Sequence, residues 1–168
     1  MGHRFASLVL AGFLATALIP GGANAQSNGD ASSSRWGVGF QSSFPAYGLS
    51  AVYDLSEPIT LQGVLGAFGV LNTFSARVLY RFQRERAYDL YGFGTAGIWR
   101  YSTSLYNETP VGVGGGAGIE LDWRSLFSPD DGSFPPLFSS IDLGFTAVSF
   151  DHYNFNGLSI GAGLHYRF

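Results

Sequence analysis

The chain has 168 residues, with no cysteine, no lysine, nine arginines against twelve acidic residues and a formal net charge of −3. That balance excludes a disulfide-stapled framework and a basic nucleic-acid-binding face. Only 12% of the residues are charged, while 24 are glycine and 15 phenylalanine, a composition suited to many short strands in a sheet that meets lipid.

The N-terminus has the parts of a secretory signal peptide. Arg4 supplies a positive start, residues 5–19 an apolar core, and Ala23-Asn24-Ala25 an A-x-A cleavage site before Gln26. The apolar core falls short of the ~20 residues a spanning helix needs, and Pro20-Gly21-Gly22 interrupts it. Residues 1–25 are therefore expected to be cleaved on export. Residues 26–34 are small and polar, a flexible lead-in, and residues 35–168 form one domain. No later segment is apolar for long enough to be a spanning helix, so a membrane protein here is a barrel.

Eight strands are predicted in order, each with a two-residue period. The first, residues 35–43, sets Trp36, Val38 and Phe40 against Gly37, Gly39 and Gln41. After a turn at Pro45-Ala46, the second, 47–55, sets Tyr47, Leu49, Ala51, Tyr53 and Leu55 against Gly48, Ser50, Val52 and Asp54. Ser56-Glu57-Pro58 is turn chemistry. The third, 59–68, presents Ile59, Leu61, Leu65 and Ala67 opposite Thr60, Gln62, Val64, Gly66 and Phe68. Following a break at 69–71, the fourth presents Phe74, Ala76, Val78, Tyr80 and Phe82 opposite Ser75, Arg77, Leu79 and Arg81, and ends in a charged turn at 83–86.

The fifth strand, 88–101, is read with Tyr91, Phe93, Thr95 and Trp99 on the apolar face and Gly92, Gly94, Ala96 and Arg100 on the other. Leu90 and Ile98 break that pattern, which suggests a bulge. Residues 102–110 are a loop. The sixth sets Val111, Val113, Ala117, Ile119, Leu121 and Trp123 against Gly112, Gly114, Gly116, Gly118, Glu120 and Asp122. A long connection, 124–136, is rich in Pro, Asp, Ser and Gly. The seventh, 139–148, sets Ile141, Leu143, Phe145 and Ala147 against Asp142, Gly144 and Thr146. The last alternates most strictly, with Leu158, Ile160, Ala162, Leu164, Tyr166 and Phe168 opposite Gly157, Ser159, Gly161, Gly163, His165 and Arg167. Eight is an even number at the lower limit for outer-membrane barrels, and strands of ~9 to 11 residues suit a tilted crossing.

The charges Asp54, Arg77, Arg81, Arg100, Glu120, Asp122, Asp142 and Arg167 all fall on the small, polar face in these registers. A soluble barrel puts apolar groups inside and charges in water. Here the large apolar groups form the continuous band, so hydrocarbon is expected outside, where a charge at mid-bilayer costs about 2–4 kcal/mol. Aromatics near the strand ends fit interfacial girdles: Trp36, Tyr53, Tyr80, Phe82, Trp123, Tyr166 and Phe168 at one rim, Phe40, Tyr47, Trp99 and Phe145 toward the other. Core packing between the sheets of a sandwich is the competing reading of these aromatics.

The ending Gly163-x-x-Tyr166-x-Phe168 resembles the C-terminal signal by which bacterial outer-membrane barrels are recognised for assembly. Over residues 35–168 the chain resembles the OmpA-like, OmpX and opacity-type superfamily of small outer-membrane barrels. The resemblance rests on the strand count, Tyr80-Arg81-Phe82, residues 114–120 and Tyr166-Arg167-Phe168. It implies periplasmic termini, and so places the connection 124–136 in the periplasm, where the family has short turns. The shorter outer loops argue against a loop-borne adhesin role.

An eight-stranded barrel is wide enough only for its own side chains. Asp54, Arg77, Arg81, Glu120, Asp122, Asp142, His165 and Arg167 are expected to form a paired network that plugs the lumen, since buried charges are tolerated only when paired and hydrogen-bonded. A proton or ion path through it is the sharper alternative. The glycines at 112, 114, 116 and 118 lack the helix and lysine of a phosphate loop, and are read as making room for Arg77, Gln62 or Phe68. Some eight-stranded outer-membrane barrels are lipid A deacylases or acyltransferases, and Asp151-His152-Tyr153-Asn154 places a histidine where such an enzyme keeps its base. The nucleophilic serine that closely follows it in the deacylases is replaced by Asn154, and Ser149 is at best a strand neighbour. His152 is read as a polar loop residue, and no cofactor or metal-ligand set is present.

The expectation is a closed antiparallel eight-stranded up-and-down transmembrane β-barrel, all-β and monomeric, in a bacterial outer membrane. Its expected role is structural or in envelope interactions, without catalysis. Its expected partners are outer-membrane lipid and lipopolysaccharide and, through Gly163, Tyr166 and Phe168, the barrel-assembly machinery. A lipid-modifying enzyme, a narrow solute or proton conductor, and a secreted soluble ligand-binding barrel are the alternatives.

Overall fold

The computed structural model describes residues 35–43, 46–68, 71–102, 107–130, 133–149 and 154–168. The expected signal peptide, the lead-in, and Asp151, His152 and Tyr153 lie outside the described residues. Among the described residues there are nine strands: β1 (Trp36–Ser43), β2 (Ala46–Ser56), β3 (Ile59–Phe68), β4 (Leu71–Arg84), β5 (Tyr88–Ser102), β6 (Asn107–Glu108), β7 (Val111–Asp122), β8 (Leu137–Ser149) and β9 (Asn154–Arg167). A short helix, α1 (Trp123–Phe127), follows β7. Among the described residues no helix is long and apolar enough to cross a membrane, which says nothing against crossing by strands.

Each strand pairs antiparallel with its neighbour in the chain, apart from β6, which only extends the end of β5. The ring closes where β1 pairs with β9, Val38 opposite Tyr166 and Phe40 opposite Leu164. Eight strands thus form an up-and-down barrel with no open edge. Its two faces follow the alternation of the sequence. On β9, Leu158 is 86% exposed and the next residue, Ser159, is 6% exposed. Trp36, Phe40, Leu49, Leu65, Phe74, Ile141, Leu143 and Ile160 likewise stand on the outside, whereas Gln41, Thr60, Gln62, Arg77, Arg81, Glu120, Asp142 and His165 are buried within. Residues on one face recur every second position, so each register fixes a whole wall at once.

One strand departs from its expected orientation. In β5, Tyr91 and Trp99 are 1% and 5% exposed and point into the barrel, while Arg100 is exposed. Cross-strand partners share a face, and β5 places Thr95 opposite Arg77 and Tyr91 opposite Arg81. The interior has room for these rings because the facing strand is glycine. A methyl group at Gly118 would lie 2.6 Å from the Tyr91 ring, and one at Gly112 would lie 2.7 Å from Trp99. Gly118 and Gly112 of β7 therefore make room for Tyr91 and Trp99 of β5, where Arg77 and Gln62 were expected, and the Phe68 side chain lies outside the described residues. Trp99 fills the lumen and is not part of an outer girdle. The register irregularity of the β4–β5 pairing lies in β4, between Arg81 and Gln83, where Gln83 faces Leu90, and a second lies in β2 between Asp54 and Ser56.

Two further elements correct the expected loops. The 102–110 segment contains β6, and α1 takes Trp123 from the end of the expected sixth strand and runs into the 124–136 connection. Asp122 caps α1, its carboxylate accepting from the backbone N–H of Arg124 and Ser125 and from the Ser125 hydroxyl.

Candidate functional site

Antiparallel pairing brings β4, β7, β8, β9 and β2 round one interior, and their inward side chains meet at two levels. The first lies at the end where β1 starts and β9 stops. Arg81 of β4 donates through Nη1 to Asp54 Oδ1 at 3.0 Å and through Nη2 to Glu120 Oε1 at 3.1 Å. Arg167 of β9 reaches the same two carboxylates, Asp54 Oδ2 at 2.6 Å and Glu120 Oε1 at 2.8 Å. Each arginine thus bridges β2 and β7, and each carboxylate is shared. Thr60 hydrogen-bonds both Asp54 and Arg81. Arg81 Nε also lies 3.0 Å from Asp89 Oδ2, which Arg84 approaches from the rim at 3.5 Å. Three carboxylates thereby meet three guanidiniums. The Arg167 guanidinium also sits over the Phe138 ring at 4.4 Å.

At the second level, deeper in the barrel, Arg77 Nη2 and Asp142 Oδ2 are 2.9 Å apart, both side chains fully buried. The guanidinium lies over Phe93 at 4.2 Å. Asp142 Oδ2 also accepts from the Tyr91 hydroxyl at 3.3 Å and from Gln41 Nε2 at 3.4 Å. Gln62 Nε2 links Gln41 Oε1 at 3.1 Å to Ser50 Oγ at 2.9 Å, and the His165 ring nitrogen lies 2.9 Å from Ser50 Oγ. A charge with so little water needs this many partners to be tolerated.

Of the eight residues predicted for the network, Asp54, Arg81, Glu120 and Arg167 form the first level, and Arg77 and Asp142 the second. His165 joins through Ser50 and Gln62 in hydrogen bonds and forms no ion pair. Asp122 does not join; it is spent on capping α1. Arg100 is also outside it, for β5 turns that side chain outward. The same inversion brings in Asp89 and Tyr91, which the sequence reading omitted. Opposite parity on β5, signalled by Leu90 and Ile98, would have found both.

Among the described residues no group of three His, Cys, Asp or Glu is placed to hold a metal. A barrel of this kind is found in a solved structure. The chain is similar to the N-terminal β-barrel domain of Pseudomonas aeruginosa OprF, with a TM-score of 0.50 and 16% identity over 78% of this chain and 95% of that one. The fold the two share is a small, closed, antiparallel eight-stranded up-and-down β-barrel. The chain is also similar to Ail, the attachment invasion locus protein of Yersinia pestis, at 14% identity and a TM-score of 0.29, over 78% of this chain and 93% of that one. No protein-family model and no curated protein matches the chain.

Proposed function

We propose that the protein is an integral outer-membrane barrel with a structural or envelope-interaction role, its lumen plugged by the two charged levels and carrying no open pore and no catalytic site. One observation carries this reading. Large apolar side chains cover the outside of a closed cylinder while Arg77, Arg81, Glu120 and Asp142 are buried inside, an arrangement that is stable only if the surroundings are hydrocarbon. The plug follows from pairs that cross the lumen, β4 to β8 and β4 and β9 to β2 and β7. The contact between His165 and Ser50 lies sealed within it, out of reach of a lipid ester, which supports a non-catalytic reading. Lipid and lipopolysaccharide are the partners of the outer wall. The inward Gly163 and outward Tyr166 and Phe168 of the closing segment are the features we assign to recognition by the assembly machinery, and the barrel acts as a monomer.

The test is membrane fractionation with gel migration. The protein is expected in the outer-membrane fraction, released only by detergent, and its unboiled form is expected to migrate differently from the boiled form. Planar bilayers holding it are expected to give flat current traces. Recovery in the soluble periplasmic fraction, or steady unitary currents, would overturn the corresponding part of the reading.

A further inference from the structure

Trp123, at the start of α1, turns away from the lumen. Its indole N–H donates to Ser139 Oγ at 2.8 Å, and Ser139 pairs with Leu121 on the outward face of β7 and β8. Phe127 stacks on the Trp123 ring with centroids 5.5 Å apart and planes at 16°. Phe134 packs on Phe127 at 5.4 Å. Three rings thus form a ledge that continues the apolar wall at the rim where β1 starts.

Polar contacts hold the ledge in place. Arg124 Nε donates to Phe134 O at 3.0 Å, Asp122 caps the helix, and Arg86 of the β4–β5 turn donates to Pro129 O at 3.0 Å. The polar groups of Asp122 and Arg124 are turned to this bracing, and the apolar Leu126–Phe127 edge is left bare. Leu126 is 47% and Phe127 62% exposed. Aromatic rings beside a lipid-facing wall suit the boundary between headgroups and acyl chains, while Arg86 faces Asp130 at 3.6 Å on the exposed side of the turn.

We propose that α1 and Phe134 form an interfacial membrane anchor, whose Leu126–Phe127 edge enters the phospholipid leaflet at that rim beside β7 and β8. The inference rests on the reading of the outer wall as lipid-facing. The occupant is phospholipid because the ledge is continuous with that wall, its indole bonded to Ser139 on the outward face of β8. An interfacial helix of this kind sits about 5–10 Å into the headgroup and acyl boundary.

The chain has no cysteine, so single nitroxide labels report depth directly. Leu126→Cys, Phe127→Cys, Asp130→Cys and Leu143→Cys are each labelled in the full-length barrel, refolded into phosphatidylethanolamine–phosphatidylglycerol vesicles. Collision with oxygen is compared with collision with a water-soluble nickel chelate. Labels at 126 and 127 are expected to favour oxygen several-fold over the label at 130, approaching the label at 143. The Leu126 variant keeps all three rings, so a disturbed stack at 127 does not spoil the test. Water-like values at 126 and 127 with a lipid-like value at 143 would overturn the anchor and leave the barrel reading intact. Water-like values at 143 as well would overturn both.

Discussion

At the scale of single residues, the interior is governed by a cost that apolar cores do not face. Arg77 and Asp142 are both deprived of water, and their attraction does little more than offset that desolvation. Removing one partner is different, because it leaves the other charge uncompensated. Arg77→Met is expected to destabilise the barrel by about 3–5 kcal/mol, and the double variant with Asp142→Leu by much less. The midpoint of urea unfolding in vesicles, read from gel migration, measures both. A double variant as unstable as the single one would show that Tyr91 and Gln41 depend on the Asp142 carboxylate more than on the pair itself.

At the scale of elements, β5 and β7 are a matched couple, one bulky inside and one bare. Gly118→Ala places a methyl group 2.6 Å from the Tyr91 ring and 2.7 Å from the Ile141 carbonyl oxygen, and overpacking of this kind costs about 1–3 kcal/mol. Gly63→Ala on the outside of β3 meets nothing within 4 Å, so its unfolding midpoint is expected to stay within about 0.5 kcal/mol of the parent. The couple also shows what the sequence could and could not yield. β9 was legible from Gly157 onward because large and small side chains alternate there without exception, whereas its first three residues, Asn154, Phe155 and Asn156, break the alternation and hid its true start. β5 was not, since assigning bulk to the outside is a rule about averages, and this strand keeps its bulk where β7 has none. The orientation is decided by the pairing of Tyr91 with Gly118 and of Ile98 with Val111, which no reading of one strand contains. Residues 124–136 were legible as a long connection rich in turn residues. Their helix was hidden because five residues carry too short a period to see, and its cap, Asp122, had been counted with the lumen.

At the scale of the whole molecule, the outer wall makes the solvent part of the fold. Leu143→Arg, at an outward and exposed position of β8, is expected to cost about 2–4 kcal/mol in vesicles if the site lies near mid-bilayer. In short-chain detergent, where water reaches the arginine more easily, the loss is expected to shrink, and an equal loss in both media would count against a hydrocarbon surround. The seam between β1 and β9 has a consequence for how such a molecule comes to be. Its final strand brings not only the last hydrogen-bonded edge but also Arg167, the second cation for Asp54 and Glu120. A nascent sheet lacking that strand is ragged along two margins and anionic at its heart, and a single docking event cures both faults, so the casing and its filling are completed together.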